Sequence, residues 1–199
     1  MNTPSHFLMT AALRRAWKKQ PPPAGACLLG SVAPDIALYL LSLGGALHFR
    51  YILGWSAEAT WRHLFDTLYF HNPFWIAAHN LLHSPTVLVI GLVVLWRFEG
   101  LAQAPRRWLR WFLAACLLHS FVDVLTHVDD GPLLFFPFEW TVRFESPVSY
   151  WDSRHYGNQF AVFELTLDAF LLAYLCLPPL WRMARAHLAR APQSGLADE

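Results

Sequence analysis

The stretch FWIAAHNLLHSPTVLVIGLVVLW, residues 74–96, decides how the rest of the sequence is interpreted. It contains no Asp, Glu, Lys or Arg and is long enough to cross a bilayer, whose hydrocarbon core takes about 20 helical residues. Its first half nevertheless carries His79 and His83, two imidazoles to which lipid offers no hydrogen-bond partner. The stretch therefore predicts a membrane-spanning helix that also contributes to a polar site.

The composition extends this interpretation to the whole chain. Hydrophobic residues make up 55% of the 199 residues, charged residues only 15%, and the mean hydropathy is +0.30. These values are typical of a chain that is largely solvated by lipid. We therefore predict an all-α fold, a polytopic membrane helical bundle with about four transmembrane helices plus interfacial amphipathic helices. The predicted spans are residues 26–43, 74–96, 108–128 and 160–181.

The basic residues predict the orientation of these spans. Of the 15 lysines and arginines, eleven lie before the first span, between the second and the third, or after the fourth. Positive residues mark the cytoplasmic side, so we expect a multi-pass protein with both termini in the cytoplasm. A net charge of +1, with the basic residues in short clusters beside the spans, argues against a nucleic-acid partner. The sequence leaves the oligomeric state open.

Segments outside the spans have patterns of their own. Residues 5–19 have the spacing of an amphipathic helix capped by Ser5, and Ser56 is placed to cap an interfacial helix in the outer loop 44–73. The outer stretch 129–158 is rich in proline and aromatic residues without a regular period, which predicts an irregular lid. We assign residues 1–190 to one transmembrane domain and predict a disordered tail over 191–199.

Ionisable residues recur inside the predicted spans, where lipid makes them costly and a functional role is the first hypothesis. They are Asp35 in the first span, His79 and His83 in the second, His119 and Asp123 in the third, and Glu164 and Asp168 in the fourth. His79 with His83 and His119 with Asp123 are each spaced four residues apart, so each of these two pairs presents two donors on one helix face. At about 1.5 Å per residue, the two pairs lie at the same depth below the outer surface. The spacing therefore predicts that these pairs, together with the aspartate of the first span, converge on one or two metal ions.

The donor types limit the choice of metal. Mixed imidazole and carboxylate ligands suit zinc, manganese or iron better than calcium or magnesium. The alternative is a set of polar pairs that only hold the helices together. The occurrence of two matched pairs favours the metal site.

Five motifs then carry a resemblance to a known family. They are SHFLMTAA (5–12), GSVAPDI (30–36), HNLLHS (79–84), HSFVDVLTH (119–127) and LLFFPF (133–138). Their order resembles that of the bacterial inner-membrane proteins called membrane-bound metal-dependent hydrolases, which are distantly similar to zinc-dependent phospholipase C. The resemblance covers residues 5–138 and implies a location in the bacterial inner membrane. It also implies a set of metal ligands: His6, Asp35, His83, His119 and Asp123.

Later residues extend this ligand set. In relatives of the phospholipase a further His and Glu complete the site, and His155 and Glu164 are the residues here that suit those parts. His127, near the end of the third span, is left open as a ligand. The full set of metal ligands that we consider is His6, Asp35, His79, His83, His119, Asp123 and Glu164.

The polar layer and the resemblance together predict a membrane-embedded metal-dependent hydrolase. We expect it to cleave a phosphoester of a lipid or lipid-linked substrate by a metal-activated water, with zinc as the favoured ion and one or two ions per chain. Asp35 and Asp123 are the predicted catalytic residues, because either carboxylate is placed to take the proton of that water. The alternative is a non-enzymatic membrane protein that uses the His and Asp layer for ion or proton handling or for bundle specificity. The apolar inner halves of the spans argue against a conduction path.

Overall fold

A computed structural model describes residues 1–97 and 100–190, without the side chains of residues 179–180 and 182–190. In this part of the chain the regular structure is entirely helical, which confirms the predicted all-α class. The tail predicted over 191–199 lies outside the described residues. The α-helices are α1 (Thr3–Ala16), α2 (Ala24–Gly30), α3 (Ala33–Ala46), α4 (Ala57–Arg62), α5 (Tyr69–His71), α6 (Pro73–Asn80), α7 (Pro85–Arg97), α8 (Gln103–Val124) and α9 (Gly157–Arg190).

Shorter helical turns join some of these helices. A π-helical segment, Leu47–Ile52, continues α3, and a second one, His63–Leu68, joins α4 to α5. Ser56 caps α4 by accepting the Ala59 N–H at 3.1 Å, which confirms the predicted start of the helix in the outer loop. A single 3₁₀ turn, Ser153–His155, leads into α9.

The first two predicted spans are broken helices. The axis bends by 48° between α2 and α3 and by 49° between α6 and α7. Pro34 lies in the first turn of α3 and Pro85 begins α7. Proline has no N–H and fits the first turn of a helix better than its interior, so each proline starts a new helix where the spacing alone predicts a continuous one. Asp35 and His83 lie directly beside these two breaks.

The described residues support fewer crossings than the predicted four. Within them, one helical segment, Gly157–Pro178, is long and apolar enough to cross a membrane alone, and each bent pair adds one further crossing if it counts as a single span. The third predicted span coincides with α8, whose polar residues include Arg106, Arg110 and Asp123. These side chains lower its mean apolarity, so the structure supports up to three crossings by length and composition and does not confirm the fourth.

The first helix, α1, enters the bundle with its N-terminal end. It begins at Thr3 rather than at Ser5, and Ser5 is fully buried and donates a hydrogen bond to Asp168 at 2.8 Å. His6 and Thr10 are also buried, whereas Arg14 and Arg15 lie in the last turn. The predicted helix is confirmed, but the predicted cap is wrong, because the helix begins before Ser5. The face of α1 that the bundle encloses is mostly polar, since Ser5, His6 and Thr10 are buried while Phe7 is 39% exposed.

The irregular segment between α8 and α9 is tied to the break between α6 and α7. The Asn80 amide oxygen accepts the Leu133 N–H at 2.8 Å, and the Ser84 hydroxyl donates to the Phe136 carbonyl at 3.1 Å. Leu133 and Phe136 pack against Ile76 in the buried core. The HNLLHS motif therefore supports the lid as well as carrying His83.

Candidate metal centre

Four side chains meet where the two broken helices face α8. Asp35 lies in the first turn of α3, His83 lies in the break between α6 and α7, and His119 and Asp123 lie one turn apart on α8. One ligand atom from each residue lies within 4.8 Å of the corresponding atoms of the other three. These four residues, called the metal group below, offer a possible site for a metal ion.

The distances within the metal group are short. His119 Nε2 lies 3.0 Å from Asp123 Oδ2 and 3.4 Å from Asp35 Oδ1. His83 Nε2 also lies 3.0 Å from Asp123 Oδ2. His83, His119 and Asp123 are buried, with 3% or less of each residue exposed, and Asp35 is half-buried. A buried carboxylate needs a compensating charge, so the surroundings of these oxygens decide what the group can bind.

The tautomer of His119 indicates that a cation is needed. Its Nδ1 lies 2.8 Å from the Ser31 carbonyl oxygen, which can only accept, so Nδ1 carries the proton. In a neutral ring Nε2 then bears a lone pair, yet it faces carboxylate oxygens on Asp35 and Asp123 and has no hydrogen-bond partner among the described residues. Acceptors facing one another require either a metal ion or an additional proton between them. In metal sites, the ring nitrogen that does not bind the metal usually donates a hydrogen bond to an acceptor such as a backbone carbonyl.

Asp123 is the residue on which the polar contacts converge. Its Oδ2 faces His83 and His119, whereas its Oδ1 lies 2.9 Å from His6 Nε2 and 2.8 Å from the Met1 amine. His127, which the sequence analysis left open, donates from Nδ1 to the Asp123 carbonyl at 2.9 Å. The two faces of this one carboxylate thus carry different sets of partners.

His6 lies beside the metal group because α1 enters the bundle. Its side chain is 1% exposed, and its ring stacks on that of His119 with centroids 3.7 Å apart. The charge pattern alone placed His6 on the cytoplasmic side, away from the other candidate ligands. The structure brings it against the Asp123 oxygen that does not face His83.

Three other predicted site residues have partners outside the metal group. His79 Nε2 lies 3.3 Å from the Tyr69 hydroxyl. Glu164 accepts the Asn2 backbone N–H at 2.7 Å with one oxygen and the Asn2 side-chain amide at 2.6 Å with the other. His155 contacts Asp152 at 3.1 Å on the 3₁₀ turn. Glu164 therefore joins α9 to α1 in this structure instead of completing the metal group.

The sequence analysis missed several supporting residues. Thr3 donates to Asp35 Oδ2 and contacts the Tyr39 hydroxyl at 2.6 Å, and Ser120 donates to the His83 carbonyl. Ser31, which fixes the His119 ring, precedes the Pro-Asp pair within GSVAPDI. A residue just before a helix break keeps a free carbonyl, so the position of Ser31 was a usable signal.

A cavity of about 470 Å³ opens onto the metal group. Asp35, His83 and Asp123 line it, and so do Tyr69 and Tyr150. Burial raises the pKa of both tyrosine hydroxyls well above the usual range, so both stay protonated at neutral pH. The cavity therefore joins the metal group to neutral hydroxyls and aromatic walls.

Charged residues also line this cavity. The Arg154 guanidinium bonds Asp152 at 2.8 Å and holds the pKa of that carboxyl well below its usual range. Asp66, Asp129 and Asp130 line the same cavity. Carboxylates therefore outnumber guanidinium groups among the residues around its opening.

Comparison with known proteins gives a family but no characterised relative. The model of the YdjM inner membrane protein family matches residues 1–186, which include every site residue described above. No curated protein and no solved structure matches the chain. The match supports the predicted inner-membrane location, whereas the resemblance to hydrolases and to phospholipase C stays a prediction. The chain belongs to the YdjM inner membrane protein family.

Proposed function

We propose that this inner membrane protein is a metal-dependent hydrolase that cleaves a phosphoester of a lipid or lipid-linked substrate. The observation that carries the proposal is the buried convergence of acceptors in the metal group. His119 Nε2 faces carboxylate oxygens of Asp35 and Asp123, with its proton held on the opposite ring nitrogen. A bound metal ion would occupy the space between these acceptors, and metal analysis distinguishes it from an additional proton on His119.

The four residues of the metal group would hold the ion, and zinc is the favoured choice because it takes mixed imidazole and carboxylate ligands. Manganese or iron suits the same donors. A bound ion supplies Lewis acidity, which neutralises charge on phosphoryl oxygens and lowers the pKa of a water molecule. A second ion would need the other face of Asp123, where His6 lies.

The two aspartates would have different parts in hydrolysis. Asp35 is half-buried and lines the cavity, so it is the carboxylate that a substrate-side water can approach. Asp123 is 2% exposed and already contacts three histidine rings, so it orients those rings. Asp35 would take the proton of the attacking water while the water oxygen bonds to phosphorus. The oxygen that leaves phosphorus would then receive a proton, so that water is added across the P–O bond.

Exposed apolar side chains in the lid and in the segment after α3 favour a substrate that is already in the bilayer. Phe135 is 52% exposed and Phe138 77% exposed in the lid, and Tyr51 is 77% exposed in the segment after α3. Apolar side chains of this size at such exposure are suited to lipid contact in a membrane protein. We propose that α8 is a further crossing, that the last turn of α1 and the C-terminus are cytoplasmic, and that the cavity, which Met1 lines, opens toward the outer leaflet.

Metal analysis combined with lipid hydrolysis tests the proposal. The full-length protein is purified in detergent, its metal content is measured, and release of phosphorylated head group from mixed micelles of phospholipid is followed with and without a chelator. We expect stoichiometric metal, loss of hydrolysis on chelation, and recovery with zinc or manganese. His119→Ala should lose both the metal and the activity, while His48→Ala, an exposed histidine outside the site, should keep both.

A protein without metal and without hydrolysis would contradict the proposal. Ion or proton flux in proteoliposomes, in a protein that hydrolyses no lipid, would support the non-enzymatic alternative instead. The His119→Ala variant should then change the flux, which separates that role from one in helix packing alone.

A further inference from the structure

His79 presents an unpaired acceptor on a ring that lines the cavity. The Tyr69 hydroxyl donates to the Asp130 carbonyl at 2.7 Å, so its oxygen can only accept from His79 Nε2, 3.3 Å away. In the neutral ring this proton on Nε2 leaves Nδ1 with a lone pair. His79 is 5% exposed, and its Nδ1 has no partner among the described residues. The ring therefore needs a donor that the described part of the chain does not supply.

Asp130 offers a second unpaired acceptor in the same cavity. Its Oδ2 accepts the Trp151 indole N–H at 2.8 Å, whereas its Oδ1 is buried without a partner in the described part of the chain. A buried carboxylate oxygen without a donor destabilises the folded protein, because no hydrogen bond compensates for the loss of its hydration. A ligand in the cavity that carries N–H groups would satisfy both Asp130 and His79.

The charged groups that line the cavity are mostly carboxylates. Asp66 and Asp129 are exposed and line the cavity along with Asp130. Arg154 is already paired with Asp152, and the Arg143 guanidinium lies against the Phe70 ring, 5.2 Å from its centroid, while its Nε donates to the Gly131 carbonyl. The excess of carboxylates favours a cationic ligand and disfavours an anionic one.

We propose that this cavity selects a lipid head group that carries a primary ammonium. The binding step is independent of catalysis, whereas cleavage of the bound lipid rests on the proposed hydrolase function. A primary ammonium brings a positive charge and three N–H donors, which suit His79 Nδ1 and Asp130 Oδ1. A trimethylammonium group brings the charge without any N–H donor. A glycerol head group brings hydroxyl donors without a positive charge, so it lacks the attraction of the carboxylates.

Head-group binding tests this selectivity without depending on hydrolysis. The metal-loaded full-length protein in detergent is titrated by calorimetry with phosphoethanolamine, phosphocholine and glycerol 1-phosphate. We expect phosphoethanolamine to bind at least about tenfold more tightly than the other two, which corresponds to about 1.4 kcal/mol. Equal affinities for the three compounds, or tighter binding of phosphocholine, would overturn the inference.

Variants of the cavity residues sharpen this test. Asp130→Asn keeps an oxygen for the Trp151 indole, and Asp66→Asn changes an exposed side chain, so both should fold. Each should reduce the preference for phosphoethanolamine by severalfold. Glu145→Gln, an exposed carboxylate that does not line the cavity, makes the same charge change and should leave the preference unaltered. A preference that survives both cavity variants would contradict the assignment.

His79→Phe separates head-group recognition from metal binding. This variant keeps an aromatic ring but removes the acceptor, so we expect the preference for phosphoethanolamine to fall while the metal content stays the same. Loss of the metal in a folded His79→Phe protein would instead identify His79 as a metal ligand and overturn its assignment to the head group.

Hydrolysis of the matching lipids distinguishes this inference from the proposed function. Mixed micelles of phosphatidylethanolamine, phosphatidylcholine or phosphatidylglycerol are compared at equal lipid content, and phosphatidylethanolamine should be cleaved fastest. Selective binding of phosphoethanolamine without hydrolysis of any lipid would refute the hydrolase and leave the head-group site standing. Hydrolysis at equal rates with unselective binding would refute the head-group site alone. Absence of both would refute both.

Discussion

The His6 ring stacks on the His119 ring, with centroids 3.7 Å apart and planes 18° from parallel. The two residues belong to α1 and α8, which are far apart in the chain, so this contact is tertiary. From the same helix, His6 Nε2 lies 2.9 Å from Asp123 Oδ1 and Thr3 donates to Asp35 Oδ2. The first turns of α1 are therefore part of the wall of the site, and changes in α1 should act on metal binding.

His6→Ala is expected to weaken zinc binding. The substitution removes both the stack on His119 and the contact of Nε2 with Asp123 at 2.9 Å. Loss of such a supporting contact typically costs about 10–100-fold in metal affinity. Competition titration with a zinc-binding dye measures the change, and His71→Ala, an exposed histidine in the outer loop, is the control. Unchanged affinity in His6→Ala would show that the stack contributes nothing to the site.

Asp123→Asn is expected to remove bound metal and lower the unfolding temperature. The buried carboxylate contacts Nε2 atoms of His6, His83 and His119 at 2.9–3.0 Å, and an amide cannot balance a cation among them. Breaking a buried charged network typically costs about 3–5 kcal/mol. Thermal unfolding followed by tryptophan fluorescence, with and without zinc, measures the effect. Asp129→Asn is the matched control, since that side chain is exposed, and equal unfolding temperatures for the two variants would contradict the central place of Asp123.

Glu164→Gln is expected to loosen the contact of α9 with α1 while metal content is retained. Glu164 is 3% exposed and accepts two hydrogen bonds from Asn2. Loss of the charge should cost about 1.5–3 kcal/mol in unfolding free energy, the usual range for a hydrogen bond to a charged group. Thr166→Val on the same helix is the control, because the Thr166 hydroxyl bonds only to the carbonyl of Val162 in its own helix. A loss of metal in the Gln variant would show that Glu164 acts as a ligand after all.

Gly30→Ala is expected to disturb the site through the packing of α2 on α8. A Cβ at Gly30 would overlap the Phe112 carbonyl oxygen and lie 2.8 Å from the Ala115 Cβ, so the two helices would have to separate. Overpacking of this kind costs about 1–3 kcal/mol. The same separation would move the Ser31 carbonyl away from His119, so the zinc affinity should also fall.

The matched control for this packing test is Gly44→Ala in α3. Nothing lies within 4 Å of a Cβ built at Gly44, so the added methyl meets open space. Alanine in a helix interior is favoured over glycine by about 1 kcal/mol, so this variant should be neutral or slightly stabilising. Thermal unfolding and zinc titration of both variants provide the comparison. A Gly30→Ala protein as stable as Gly44→Ala would contradict the close approach of α2 and α8.

The helical class and most residues of the metal group could be predicted from the sequence alone. Long apolar stretches specify helices because lipid leaves backbone groups no other partner, and this requirement is local. The spacing of His119 and Asp123 places both on one helix face whatever the neighbouring helices do. The depth calculation also brought His83 to the level of Asp123, and the structure places their side chains 3.0 Å apart.

The entry of α1 into the bundle, the tautomer of His119 and the partners of His79 and Glu164 became known only from the three-dimensional structure. The distribution of lysine and arginine indicates only which ends of the spans face the cytoplasm. It could not show that the first turns of α1 enter the bundle and bring His6 to Asp123. The His119 tautomer depends on the Ser31 carbonyl, which a helix break in another segment leaves free. Such contacts join residues far apart in the chain, and local spacing carries no information about them because they arise from the packing of one helix on another.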